Sequence, residues 1–303
     1  MRLRADLSLF VISIFWGSAF VAQRVAGQMG SVYLFNGLRY LLAGLVVLPV
    51  AIRSLRKITP GKPLSSISSS QLRWMILAGC LLFLASALQQ VGIIYTTAGN
   101  AGFITSLYVV LVPVVLFFTW RERLHWLSAT AVVLSVIGAY LLSTGGRIEF
   151  RLGDVLEFIG ALFWAFHVIV VGKYASRYEP TSFSVGQLFV CGILNLGAGV
   201  FIEGALPLNW SLAGAILYTA LFSLGLCYTL QIWAQRHTPP ADAAIILSLE
   251  SVFAVLTGWW LLDEHLTGIQ ILGCALIFGA VLLSQSKDWI SSTINKPIIP
   301  EDQ

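Results

Sequence analysis

Two ionisable side chains stand where water is scarce. Glu250 lies among Leu247, Leu249, Val252 and Phe253, inside an apolar run over about 242–262. Arg39 lies among Leu38, Tyr40 and Leu41, about a third of the way into another such run. A charge in an apolar medium costs several kcal/mol, so such groups need a reason. A carboxyl that loads and releases a proton there would couple solute movement to a proton gradient. The other reading is a neutral glutamic acid bonded to a neighbouring helix. Arg39 can receive an anionic group of a solute or neutralise Glu250, or its long stem can reach toward lipid headgroups.

Weaker polar signals surround this pair. Glu157, Gly160, Ala161, Trp164 and His167 repeat at three- and four-residue spacing, which is one helix face. Ser13, Trp16, Phe20 and Gln23 form a similar stripe, and so do Ser184, Gln187, Cys191 and Asn195. Gln89, Gln90 and Tyr108 add polar groups elsewhere. Such stripes in lipid serve either a solute cavity or helix packing through small and polar residues. Trp16 and Trp164 fit a cavity wall or an interfacial aromatic belt. His167 alone reads more naturally as a bonded packing residue than as a ligand. The cavity set expected from the sequence is Trp16, Arg39, Gln90, Tyr108, Trp164, His167, Gln187 and Glu250.

The elements that must position these residues follow from composition. Hydrophobic residues make up 57% of the chain and charged residues 11%. A soluble protein cannot hide that much apolar surface, so the natural partner is a lipid bilayer. Cys80, Cys191, Cys227 and Cys274 lie in apolar runs without C-x-x-C pairing or neighbouring histidines, which points to neither metal nor disulfide. No cofactor is expected. No basic block with interleaved aromatics suggests nucleic acid.

Ten apolar segments are long enough, or nearly so, to cross a bilayer. Spans 1–5 cover about 7–25, 33–52, 72–94, 99–119 and 126–142. Spans 6–10 cover about 153–172, 181–202, 211–232, 242–262 and 267–285. Each is too long for a tilted barrel strand, and a lone segment in lipid satisfies its backbone only as a helix. Leu7–Val25 reads as a retained helix and not as a signal peptide, because its counterpart from Val155 onward sits mid-chain. Pro113 removes a backbone donor in span 4 and is expected to bend it.

The chain also repeats itself. Thr96, Ala101, Ser106, Leu107, Glu122 and Leu124 recur at one constant offset as Thr238, Ala243, Ser248, Leu249, Glu264 and Leu266. A second offset carries Asp6, Phe15, Trp16 and Gly44 onto Asp154, Phe163, Trp164 and Gly192, and Arg39 onto Gln187. Glu122 and Glu264 fall at matched turns and read as turn or cap residues. The expected units are 1–146, with a flexible loop over about 53–73, then 147–286, and a solvated tail over 287–303.

Loop charges set the orientation. One set of loops holds Arg2, Arg4, Arg53, Arg56, Lys57, Lys62, Arg73, Arg121, Arg123, Lys173, Arg177, Arg236, Lys287 and Lys296. The other holds only Arg24, Arg147 and Arg151. Both termini are therefore expected in the cytoplasm. With five spans per unit, the second copy enters the membrane from the opposite side. The expected fold is an all-α polytopic membrane protein of two inverted five-helix repeats.

This pattern resembles the EamA-type carriers of the drug/metabolite transporter superfamily over about residues 5–286. The matching motifs are Phe15–Ser18, Asn36–Arg39, Thr97–Tyr108, Leu249–Glu250 and Asp263–Leu266. Many relatives have proline after the span 9 glutamate, where this chain has Ser251. The resemblance implies a plasma-membrane (inner-membrane) secondary transporter of small metabolites such as amino acids, often an exporter, working around a midplane cavity. Spans 1–4 and 6–9 are expected to line that cavity. Spans 5 and 10 are left to brace the bundle or to associate as a homodimer. An uptake carrier or facilitator fits the same sequence. An intramembrane enzyme lacks G-x-S-x-G, H-E-x-x-H or any paired nucleophile and base. A channel or scaffold lacks a filter-like loop, an acidic ring and a soluble domain.

Overall fold

A computed structural model of the chain describes residues 1–58, 67–96, 98–144, 152–204, 206, 209–262 and 267–294. Pro60, Gly61, Pro63, Arg147, Arg151, the Asp263–Leu266 turn and the end from 295 lie outside these residues.

Helices fill every one of the ten apolar segments. Nine are long and apolar enough to cross a membrane, and Trp126–Leu142 is a shorter tenth, among the described residues. The ends reach past the apolar cores. Span 1 covers Arg2–Gln28, span 2 Tyr33–Ile58, span 3 Ser69–Gly92 and span 10 Gly268–Ile294. Helical hydrogen bonding continues into polar flanks, where hydropathy carries no signal. The loop expected over 53–73 is thereby cut short at both ends, and Lys287 lies within the last helix.

Span 4 consists of Ala98–Ser106 and Tyr108–Trp120, and span 9 of Pro240–Leu247 and Glu250–Leu262. The two interruptions fall at matched places in the repeat and share the same local hydrogen bonding. Ser106 Oγ donates to the Phe103 carbonyl and Ser248 Oγ to the Ile245 carbonyl, both at 2.7 Å. Leu107 N–H turns to the Ile104 carbonyl at 3.1 Å, and Leu249 N–H to the Ile246 carbonyl at 3.2 Å, each three residues back. A serine hydroxyl that takes a carbonyl from the backbone ladder bends or tightens a helix. Pro113 lies inside the second piece of span 4, downstream of the break. Span 9 breaks without a proline there, so Ser251 in place of the relatives' proline does not keep it straight.

Span 8 departs from α geometry differently. Its helix runs α over Trp210–Tyr218, π over Thr219–Leu226 and α again over Cys227–Ala234. A π stretch often marks a functional site, because it leaves backbone groups free for other partners.

The main helix contacts join the two halves. Span 2 packs on span 7 (Pro180–Ile202), span 3 on span 6 (Leu152–Lys173), span 1 on the second piece of span 9, and span 5 (Trp126–Thr144) on span 10. Spans 5 and 10 meet through Gly138 and Gly273, where a methyl group would come within 2.7 Å of the facing glycine carbonyl. Backbones approach this closely only over small residues. Span 4 ends at Arg121 in a left-handed conformation, and Glu122 in that turn pairs with Lys173 of span 6.

Candidate substrate cavity

Arg39 is 2% exposed and faces the bundle interior. Its Nε donates to Asn36 Oδ1 at 3.0 Å and its Nη2 to Gln23 Oε1 at 3.1 Å. Its guanidinium also lies 4.9 Å from the Phe35 ring centre and 5.4 Å from that of Tyr40. The supporting amides are themselves held. Asn36 Nδ2 donates to the Ser86 carbonyl at 3.1 Å, and Gln90 Nε2 to the Gln23 carbonyl at 2.8 Å. No carboxylate pairs with Arg39 among the described residues; Arg2 pairs with Asp6 and Asp242, and Lys173 with Glu122. A guanidinium with two neutral acceptors and no counter-ion is a buried charge left uncompensated.

Glu250 opens the second piece of span 9, directly after the break, and is 3% exposed. Its Oε1 has no hydrogen-bond partner. Tyr108 opens the second piece of span 4, the matched position, and its hydroxyl also has none. Gly17 of span 1 lets the chain close over this region, since a methyl group there would come within 2.5 Å of the Glu250 carbonyl.

Arg39 and Glu250 line one cavity, together with Trp16, Phe20, Gln23, Tyr40, Gln89, Thr105, Tyr108, Trp164, Val168, Ser223, Leu224 and Tyr228. Spans 1, 2, 3, 4, 6, 8 and 9 all contribute. Among the described residues, spans 5, 7 and 10 do not. The cavity volume is about 40 Å³. That holds a few waters.

Aromatic rings form part of the cavity wall. Trp16 and Trp164 meet with ring centres 6.3 Å apart. Trp16 lies 5.4 Å from Tyr228, and Tyr228 lies 6.4 Å from Tyr40. The π stretch of span 8 fixes the first of these, because Trp16 Nε1 donates to the Ser223 carbonyl at 2.8 Å. Trp164 Nε1 has no partner. The two tryptophans that fitted either a belt or a wall are thus in contact at the cavity.

Three residues expected at the cavity stand one layer behind it. Gln90 holds the backbone of Gln23. His167 and Gln187 bond each other, Nε2 to Oε1 at 3.0 Å, and the His167 ring packs edge-on against Trp164 and Tyr228. In a membrane a polar side chain gains as much from a neighbouring helix as from a cavity, so polarity alone does not separate the two. Tyr40, Thr105, Ser223 and Tyr228 reach the cavity unannounced. Hydroxyls are cheap to bury beside a helix carbonyl, which leaves little in the sequence to flag them.

A family model matches the chain twice, over residues 3–144 and 151–285, and that family is the EamA-like transporters. The chain belongs to the EamA-like transporter family. It is therefore a member of the drug/metabolite transporter superfamily, a multi-pass carrier of small metabolites and not an enzyme. This EamA-like chain is 34% identical over 282 residues to an uncharacterized transporter of Archaeoglobus fulgidus, covering 93% of this chain and 86% of that one. It is 26% identical over 291 residues to the uncharacterized inner membrane transporter YedA of Escherichia coli, covering 91% and 89%. A third relative, the threonine/homoserine exporter RhtA of Salmonella typhimurium, is 29% identical over 150 residues, which is 48% of this chain and 50% of that one. A solved crystal structure shares the EamA-like fold at a TM-score of 0.76 and 16% identity, over 94% of this chain and 99% of that one.

Proposed function

We propose that this EamA-like protein exports small carboxylate-bearing metabolites, amino acids foremost, across the inner membrane by alternating access around the cavity of Arg39 and Glu250. The observation that carries this reading is the Arg39 guanidinium, buried on the cavity wall without a counter-ion. A solute carboxylate would complete it, and a planar fork suits that shape. The ring wall of Trp16, Trp164 and Tyr228 offers apolar area and a face for an ammonium group. Glu250, on the same cavity, is the group for an exchangeable proton. The export direction draws on RhtA, named a threonine/homoserine exporter, which matches about half of each chain.

In this reading the halves are inverted repeats that rock about the cavity, with both termini in the cytoplasm. Two contacts support it. Thr238 Oγ1 donates to Asp6 Oδ1 at 2.8 Å, and Thr96 Oγ1 donates to Asp154 Oδ1 at 2.6 Å. Each joins an aspartate of one half to a threonine of the other, and the repeat carries one contact onto the other. Five crossings separate span 1 from span 6, which puts the two contacts at opposite ends of the path.

The test is a metabolite profile of medium and cytosol in cells that overexpress the protein. Export predicts a rise of amino acids in the medium that vanishes with Arg39→Gln. A rise in the cytosol with an unchanged medium would replace export by uptake.

A further inference from the structure

Glu157 of span 6 is a second carboxyl in the bundle interior, and nothing above uses it. It is fully buried. Its Oε2 accepts a hydrogen bond from Thr105 Oγ1 at 3.1 Å, and Thr105 Oγ1 accepts one from Gln89 Nε2 at 3.0 Å. Its Oε1 has no partner. Thr105 and Gln89 line the cavity, whereas Glu157 stands behind them.

We infer that Glu157 is a second proton-binding site of the carrier, filled from cavity water through the Thr105 hydroxyl. In this conformation neither form of the acid is at rest. An ionised Glu157 has one hydrogen bond and no cation. A protonated one donates its O–H from Oε2 to Thr105 Oγ1 and still leaves Oε1 unpaired. A permanent structural acid would have both oxygens matched, whereas a group that changes state during a cycle cannot be matched in both.

The route is short. Thr105 Oγ1 uses one lone pair for Gln89 and has the other for water in the cavity. A hydronium ion there gives its proton to Oγ1, and the hydroxyl's own proton passes to Glu157 Oε2. Thr105 ends unchanged, water is released and the carboxylate becomes a neutral acid. Reversal of the same steps empties the site.

The charged and titratable surroundings are sparse. Asp154 lies one turn away on the same helix and accepts from Thr96. Span 3 presents Gln89 and the backbone of Gly92, and span 4 presents Thr105. Tyr108, the next titratable group along span 4, lines the cavity with Glu250. None of these is a lysine, arginine or histidine, so among the described residues no cation holds Glu157 ionised.

The site's meaning rests on the carrier reading, but its test does not need a solute. Infrared difference spectra of the purified protein in nanodiscs follow the carbonyl stretch of protonated carboxyls across pH, and its isotope shift after transfer to heavy water. Wild type is expected to show two titrating buried acids. Glu157→Gln, which keeps the shape and one hydrogen-bond acceptor, removes one band and leaves that of Glu250. Thr105→Val leaves both bands but slows exchange of the Glu157 band by about a hundredfold, the lower end of what a positioned proton-transfer group contributes. Thr105→Ser restores the rate. A Glu157→Gln spectrum identical to wild type, or exchange in Thr105→Val as fast as wild type, overturns the inference. A titrating Glu157 band in a protein that moves no solute would keep the proton site and remove the carrier reading.

Discussion

Asp154 accepts a 2.6 Å hydrogen bond from Thr96, and the sequence repeat carries both residues onto a second such pair, Asp6 and Thr238 at 2.8 Å. Each half thus lends the other a threonine at the start of its broken helix. The contact is of a strong kind, a hydroxyl bonded to a carboxylate. Its two copies tie span 6 to the head of span 4 and span 1 to the head of span 9.

If the two contacts hold the two ends of the path shut, breaking one biases the carrier one way. Asp6→Ala should open the end with the N-terminus, and Asp154→Ala the far end. A hydrogen bond to a charged group is worth about 1.5–3 kcal/mol, on the order of tenfold to a hundredfold in a two-state equilibrium. Labelling of a Ser223→Cys probe by a membrane-impermeant thiol reagent, from each side in turn, reads the shift. Equal labelling changes from both sides would contradict the gating assignment.

Arg39→Gln should weaken solute binding by about 2–5 kcal/mol, the usual cost of losing one member of a buried hydrogen-bonded charge pair. Arg39→Lys should recover only part of it, because a point charge does not reproduce the planar fork. Isothermal titration with a panel of amino acids measures both. Unchanged affinity in Arg39→Gln would give the guanidinium a purely structural role.

Gly17→Ala should destabilise the bundle by about 1–3 kcal/mol, the range for an overpacked core. The added methyl would meet the Glu250 carbonyl and the Phe253 side chain, each at 2.5 Å. Gly214→Ala, with nothing within 4 Å, should be close to neutral. Thermal unfolding in one detergent compares the two variants, and equal midpoints would contradict this packing.

Trp16→Phe keeps a ring on the wall and loses the hydrogen bond to the Ser223 carbonyl. It should cost about 0.5–1.5 kcal/mol, the net value of one such bond. The same measurement on a Ser223→Ala variant is expected to show little change, because the contact uses the backbone oxygen. A larger loss in Ser223→Ala than in Trp16→Phe would reverse this assignment.

The ten helices were legible because lipid allows few other solutions to so long an apolar run. Their breaks were not. Inside a wholly apolar segment no periodicity marks the point where Ser106 or Ser248 takes a backbone carbonyl, nor the π stretch over Thr219–Leu226. At the site, charge was the readable signal. Arg39 and Glu250 are too costly in lipid to be incidental, and the structure sets both on one cavity with Trp16, Tyr108 and Trp164. Neutral polarity was ambiguous. His167 and Gln187 satisfy each other behind the wall, while Thr105 and Tyr228, which the sequence did not distinguish, reach the cavity.

The most direct measurement is paired transport in proteoliposomes of an amino acid and the amine left when its carboxyl is removed. With Arg39 as the carboxylate receptor, wild-type protein moves the acid and leaves the amine, and Arg39→Gln moves neither at the wild-type rate for the acid. Equal transport of acid and amine by wild type, unaltered in Arg39→Gln, would contradict it.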